Sequence, residues 1–331
     1  MKFINVILII IIVLSCSDSK EEILEPGDDI AILTWQVKKL PANNMGKLTL
    51  AIVVNSKGDI LVGQNDGRIF RSVNGDTTWN LVKEFWYPIS FMSINEGDSI
   101  FAGYYPYSTF LDGGVSISHD NGETWADFHK NDRGSWDMNL FNSAYYIVDD
   151  RSIAKSLDKG ETWHELRSGL EDVRLRTIAI DQTNGFLFVG SWGNGVYRST
   201  DNGLTWSWNG VEGAFLKPLR ATGNGYIFAS TGGGIYRTEN HGESWQKLSV
   251  QSDTLSNFDV NIHCIYTTSE DYLLIGTDKS GLFLSMDYGD KWHYLGLKGV
   301  TIFSLHMDKE RSVYVGSDSL RFLKSNESLR F

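Results

Sequence analysis

Cysteine is nearly missing from this chain. Its 331 residues hold two, Cys16 and Cys264, which excludes a disulfide-stapled scaffold and leaves the fold to its apolar core. Proline is scarce at five residues. Basic residues are outnumbered: 30 Lys and Arg face 41 Asp and Glu, for a formal net charge of -11. Such a balance suits nucleic acid poorly, because Lys and Arg supply that affinity by neutralising phosphate. No segment sustains a helical period. Catalytic and metal signatures are also lacking. There is no G-x-S-x-G, "TGGGIY" at 231–236 lacks the lysine of a phosphate loop, and "HELRS" from His164 lacks the second histidine of a zincin. No stretch completes the calcium-loop spacing. These gaps leave no expected metal and no expected cofactor, and the seven histidines read as surface or turn residues.

Glycine, by contrast, reaches 33 residues, and aromatic residues make up 13%. Many glycines with many aromatics point to short strands joined by tight turns. The apolar share of 41% is enough for a sizeable core.

The first residues stand apart. "MKFINVILIIIIVLSC" has a basic start, a short apolar run and Cys16 at its end. The run is too short to span a membrane comfortably and fits a leader. Val13-Leu14-Ser15-Cys16 resembles a bacterial lipobox, which implies a signal peptide over 1–15 and an acylated Cys16. The alternative is an ordinary leader with a chance cysteine. Residues 16–30 are polar and acidic and read as a tether. Lys20-Glu21-Glu22 resembles the surface-export signal of some Gram-negative lipoproteins, although a solvated linker reads the same. The expected address is a bacterial outer membrane, with the lipid as membrane partner.

Residues 31–331 repeat one spelling, S-x-D-x-G-x-T-W. It is complete at Ser118 to Trp125, Ser156 to Trp163 and Ser199 to Trp206. It is looser at Ser72 to Trp79, Thr238 to Trp245 and Ser285 to Trp292, and decayed at Ser325. The starts are separated by 46, 38, 43, 39, 47 and 40 residues, a period that suits four strands per unit. The spelling has a mechanical reading. Asp120, Asp158, Asp201, Asn240 and Asp287 accept bonds from their own turns. Gly122, Gly160, Gly203, Gly242 and Gly289 supply positive φ. Trp125, Trp163, Trp206, Trp245 and Trp292 cover the hairpin. These residues are therefore read as structural. The C-terminal unit supplies three strands, and Trp35 opens a strand with no unit of its own. Pairing the two closes a ring of seven blades without an orphan edge. The expected fold is all-β: a seven-bladed β-propeller of four-stranded antiparallel blades, one monomeric domain.

The repeats resemble the Asp-box, or bacterial neuraminidase, repeat. Propellers of that kind include sialidases, xyloglucanases, sortilin-type receptors and photosystem II assembly factors. The resemblance implies that the stapled turns share one face and that function sits on the opposite, loop face. Projected there are Trp86, Tyr87, Tyr105, Tyr107, Phe110, Trp136 and Trp192, with Arg133, Arg176 and Arg220 near the mouth. Aromatic faces stack on sugars or apolar side chains, and arginine forks bind carboxylates. The alternative is that several of these rings pack between blades. The motifs of a sialidase are incomplete: "GRIF" at 67–70 has phenylalanine where proline belongs, and Tyr-Glu adjacency is absent. A glycosidase needs two paired carboxylates, and spacing alone does not pair them. The expectation is a non-catalytic module that binds a glycan or an envelope protein, with a glycan-active hydrolase or lyase as the alternative.

Overall fold

The computed structural model describes residues 32–40, 48–73, 75, 77–106, 113–212, 216, 218–250, 260–318 and 321–329. The leader, Cys16 and the tether lie outside them, as do Tyr107 and Phe110. The described residues form 28 strands in seven four-stranded antiparallel sheets and no helix. This is the seven-bladed propeller that the repeat predicts.

Each blade begins at the central axis. The inner strands are β2 (Thr49–Val54), β6 (Ile89–Ile94), β10 (Ser135–Phe141), β14 (Leu175–Ile180), β18 (Leu219–Ala221), β22 (Ile262–Thr267) and β26 (Ile302–Met307). In six blades the next three strands follow outward in chain order. The seventh runs from β26 through β27 (Val313–Ser317) and β28 (Arg321–Ser325) to β1 (Trp35–Lys39). The register is Trp35↔Ser325 to Lys39↔Arg321, so the outermost strand of the last blade comes from the start of the domain. The seam is reinforced beyond the ladder: Asn326 N donates to Thr34 O at 2.9 Å, and Thr34 Oγ1 donates to Glu327 at 2.9 Å. Without β1, β28 would expose a row of unpaired backbone groups.

The stapled turns show why the spelling recurs. In the fourth blade Ser199 Oγ accepts from Gly203 N at 2.8 Å, and Asp201 accepts from Thr205 N at 2.9 Å and Thr205 Oγ1 at 2.6 Å. Ser118 with Asp120 and Ser156 with Asp158 repeat the pattern. The chain reverses through two successive left-handed residues. The second is the glycine; the first is Asn121, Lys159, Asn202, His241 or Tyr288, each with φ near 60°. At Gly203 a Cβ would stand 2.5 Å from Leu166, so position as well as conformation demands glycine.

The tryptophan rings pack against the preceding blade, as at Trp79–Phe322 (5.3 Å), Trp163–Phe128 (5.4 Å) and Trp245–Phe188 (6.3 Å). A basic residue just before the motif adds a second clasp between blades. Arg71, Lys155, Arg198 and Arg237 donate to the backbone carbonyls of Asn121, Asn202, His241 and Tyr288 in the next blade's turn. The motif thus fastens its own hairpin and its neighbour. This face is strongly acidic. Its stapled turns carry Asp120, Glu123, Asp158, Glu161, Asp201, Glu239, Glu243, Asp287 and Asp290 against Lys159 and Lys291.

Candidate functional site

On the opposite face the inner strands share an irregularity. The register slips by one residue at the start of β2, β6, β10, β14, β22 and β26. Such a bulge breaks the in–out alternation and re-aims one side chain. The residues released are Leu50, Ser90, Trp136, Arg176, His263 and Phe303. All six line a cavity of about 560 Å³ along the axis. The fold therefore repeats one position around the mouth, and sequence divergence decides what that position presents.

Blades two to four use it to build a stack. Tyr105 lies on Trp136, with ring centroids 4.4 Å apart and planes 29° apart. Arg176 lies 4.1 Å from the Trp136 ring centroid and 4.8 Å from that of Trp192. Tyr105, Trp136, Arg176 and Trp192 thus form one ladder from three adjacent blades, with a guanidinium between two indoles. Arg176 Nη1 donates to Asp150 Oδ1 and to its neighbour's carbonyl, Leu175 O, each at 2.7 Å. Arg174 Nε reaches the other Asp150 oxygen at 3.1 Å. Burial lowers the Arg176 pKa, and the bond and charge of Asp150 oppose that effect. Burial would raise the Asp150 pKa, but Arg176 and Arg174 outweigh it and hold the carboxyl below its usual range.

The other candidates fall into separate groups. Trp86 is 94% exposed. Beside it, Phe85 stacks on Tyr104 at 4.7 Å, and Gly67 passes so close to the Phe85 and Tyr87 carbonyls that no Cβ would fit. Tyr87 is half-buried there. Arg133 faces Glu165 at 3.5 Å and Asp132 at 3.4 Å and lies 4.0 Å from Asp149, the neighbour of the ladder's Asp150. Arg220 points into the axial cavity. Its Nη1 reaches Asp137 Oδ2 at 3.2 Å, which joins blade five to blade three across blade four.

Several carboxylates near this face are engaged. Asp137 is buried and also accepts from Thr177 Oγ1 at 2.7 Å, Ile178 N at 3.2 Å and Met138 N at 3.0 Å. Asp149 accepts from Arg151 N, Ser152 N and Ser152 Oγ; burial still raises its pKa. Glu171 closes its own loop on Gly169 N, and that bond lowers its pKa. Asp150 is the partner that sequence reasoning missed. It is adjacent to a buried aspartate in a strand-to-strand turn, and nothing in its spacing marks it. The bulge position was readable in principle, as one residue out of phase at the head of each inner strand.

No known sequence family matches the chain, and no curated protein does. Solved structures match in shape. YCF48 from Cyanidioschyzon merolae has a TM-score of 0.65 at 15% identity, over 88% of this chain and 98% of its own. Selenomethionine-substituted virginiamycin B lyase from Staphylococcus aureus has a TM-score of 0.69 at 12% identity, over 88% and 99%. The xyloglucanase of Xanthomonas campestris has a TM-score of 0.68 at 14% identity, over 86% of this chain and 53% of that one. All are seven-bladed propellers, and at such identities the likeness is one of fold.

Proposed function

We propose that this chain is a lipid-anchored, non-catalytic binding module of a bacterial cell envelope, engaging a glycan or protein partner through its loop face. The observation that carries this reading is the Tyr105–Trp136–Arg176–Trp192 ladder at the channel mouth, with Trp86 standing exposed on the same face. A large exposed indole and an arginine pre-set between rings are the anchors that binding surfaces use. Within the ladder Trp136 is covered by Tyr105 on one side and Arg176 on the other. It frames the site, while Trp192 at 51% exposure and Trp86 offer the contact. The non-catalytic reading is supported by Asp137, Asp149 and Asp150, each tied to arginines or to its own turn.

The topology supports presentation of that face. β28 ends at Ser325 on the stapled side, and Trp35 lies opposite Ser325, so the chain enters the propeller on the acidic face. Fifteen residues separate Cys16 from Ile32. At roughly 3.3–3.6 Å each they span at most about 54 Å. A lipid on Cys16 would then attach the propeller from the side away from the ladder. Among the shape relatives, one structure is YCF48 bound to D1 peptide, so this architecture accommodates a protein ligand. The test is a glycan array and an envelope-extract capture with the full chain, repeated with Trp86→Ala and Trp192→Ala. Binding that both variants retain would overturn the proposal. Cleavage of a bound glycan would replace it with the hydrolase or lyase alternative.

A further inference from the structure

One blade departs from the others at the stapled end of its inner strand. In six blades that strand is followed by a polar residue: Asn55, Asn95, Asp181, Thr222, Thr268 or Asp308. Each caps a turn of five or six residues with its own side chain, as Asn95 Oδ1 does for Gly97 N and Ser99 N at 3.0 Å each. In blade three the cap is replaced by Phe141, and β10 continues into a turn of two residues, Asn142 and Ser143, before β11 (Ala144–Asp149). Both turn residues are left-handed, with φ of 47° and 65°, as a two-residue hairpin turn requires. The shortened turn coincides with a recess of about 870 Å³ at the stapled end of the channel, beside β6. After its first residue β6 is only partly buried throughout.

The lining has a definite chemistry. Phe91, Met138 and Phe141 give apolar walls, and the carboxamides of Asn139, Asn142 and Gln182 stand around them. The Asn139 and Asn142 amides make no hydrogen bond within the described protein. Each can therefore both donate and accept. The one ion pair, Asp137 with Arg220, closes on itself between this recess and the axial cavity, which both residues also line. Glu96, which also lines the recess, disfavours an anion. Apolar walls, amide groups of both polarities and a single guanidinium already neutralised by Asp137 match an uncharged ring with hydroxyls at its edge. We propose that this recess is a second site, separate from the ladder, for a neutral saccharide. Its size falls in the range of small-molecule sites, roughly 300–1,000 Å³.

The experiment uses the full chain in detergent, titrated by calorimetry and ligand-observed NMR with cellobiose, maltose, lactose and chitobiose, and with glucuronate as the charged control. A blade-three graft replaces Phe141-Asn142-Ser143 with the blade-two turn Asn-Glu-Gly-Asp-Ser and fills the recess. The expected result is that at least one neutral disaccharide binds, glucuronate does not, and the graft weakens binding by about tenfold or more, the loss of one or two good contacts. Asn139→Ala should weaken it in the same direction without changing the turn, and it decides the question if the graft does not fold. The proposal is overturned if none of the four sugars binds, if glucuronate competes equally, or if binding survives the graft and Asn139→Ala but is lost in Trp192→Ala.

Discussion

Trp206 and Trp292 occupy the same place in two repeats and should respond unequally to one substitution. Both rings are buried, at 5% and 4% exposure. Trp206 Nε1 donates to Gly203 O at 3.1 Å, whereas Trp292 Nε1 is buried without an acceptor. Alanine at either site deletes a buried aromatic ring and should cost about 3–5 kcal/mol. Phenylalanine separates the two. Trp206→Phe removes a hydrogen bond worth about 1 kcal/mol and adds the cost of the smaller ring. Trp292→Phe removes an unsatisfied donor whose burial costs about 1–3 kcal/mol, which offsets the lost volume. Trp206→Phe should therefore be less stable than Trp292→Phe by about 2–4 kcal/mol. Urea unfolding followed by far-ultraviolet circular dichroism measures both. Equal losses, or a larger loss at Trp292, would refute the reasoning that the indole N–H distinguishes these repeats.

Three further outcomes are expected. Truncation through Lys39 should lower the unfolding midpoint and promote association, seen by urea titration and size-exclusion chromatography, because β28 loses its partner; an equally stable monomer would contradict closure. Cys16→Ala should move the protein from the membrane to the soluble fraction in its host. Acid should destabilise the fold in two steps, followed as unfolding midpoint against pH. His129 and His306 are pushed to about 4 by burial, against 6.5, so the unfolded chain takes up protons first and stability falls from about pH 6.5 to 4. The Thr124, Thr162 and Thr205 hydroxyls and their backbone N–H groups hold Asp120, Asp158 and Asp201 at about 2, against 3.8. Their contribution is present above pH 4 and lost towards pH 2, and Asp201→Asn should flatten that second step.

The architecture was legible because it is written redundantly. A turn that needs a hydroxyl, a carboxylate, a glycine and an indole at set offsets leaves the same trace in each repeat. The orphan strand at Trp35 could be paired by elimination. The clasp from Arg71, Lys155, Arg198 and Arg237 was visible as a basic residue before four of the motifs, but its partner is a backbone carbonyl in another blade, which no sequence displays. The ladder was harder for the same reason. Tyr105, Trp136, Arg176 and Trp192 were recognisable as loop-face residues, yet their stacking depends on bulges that only the register reveals. Trp86 and Phe85 are adjacent aromatics, and pattern alone could not show that one is exposed and the other stacked. The short turn after Phe141 was there to be read as a missing cap.

The loop-face claim is tested most directly by photo-crosslinking in the native host. A benzophenone side chain is placed at Trp86 or at Leu204, which is 68% exposed on the opposite, stapled face. The account predicts a discrete adduct from position 86 that is absent from position 204. An adduct from position 204 alone, or none from position 86 at full expression and folding, would contradict it.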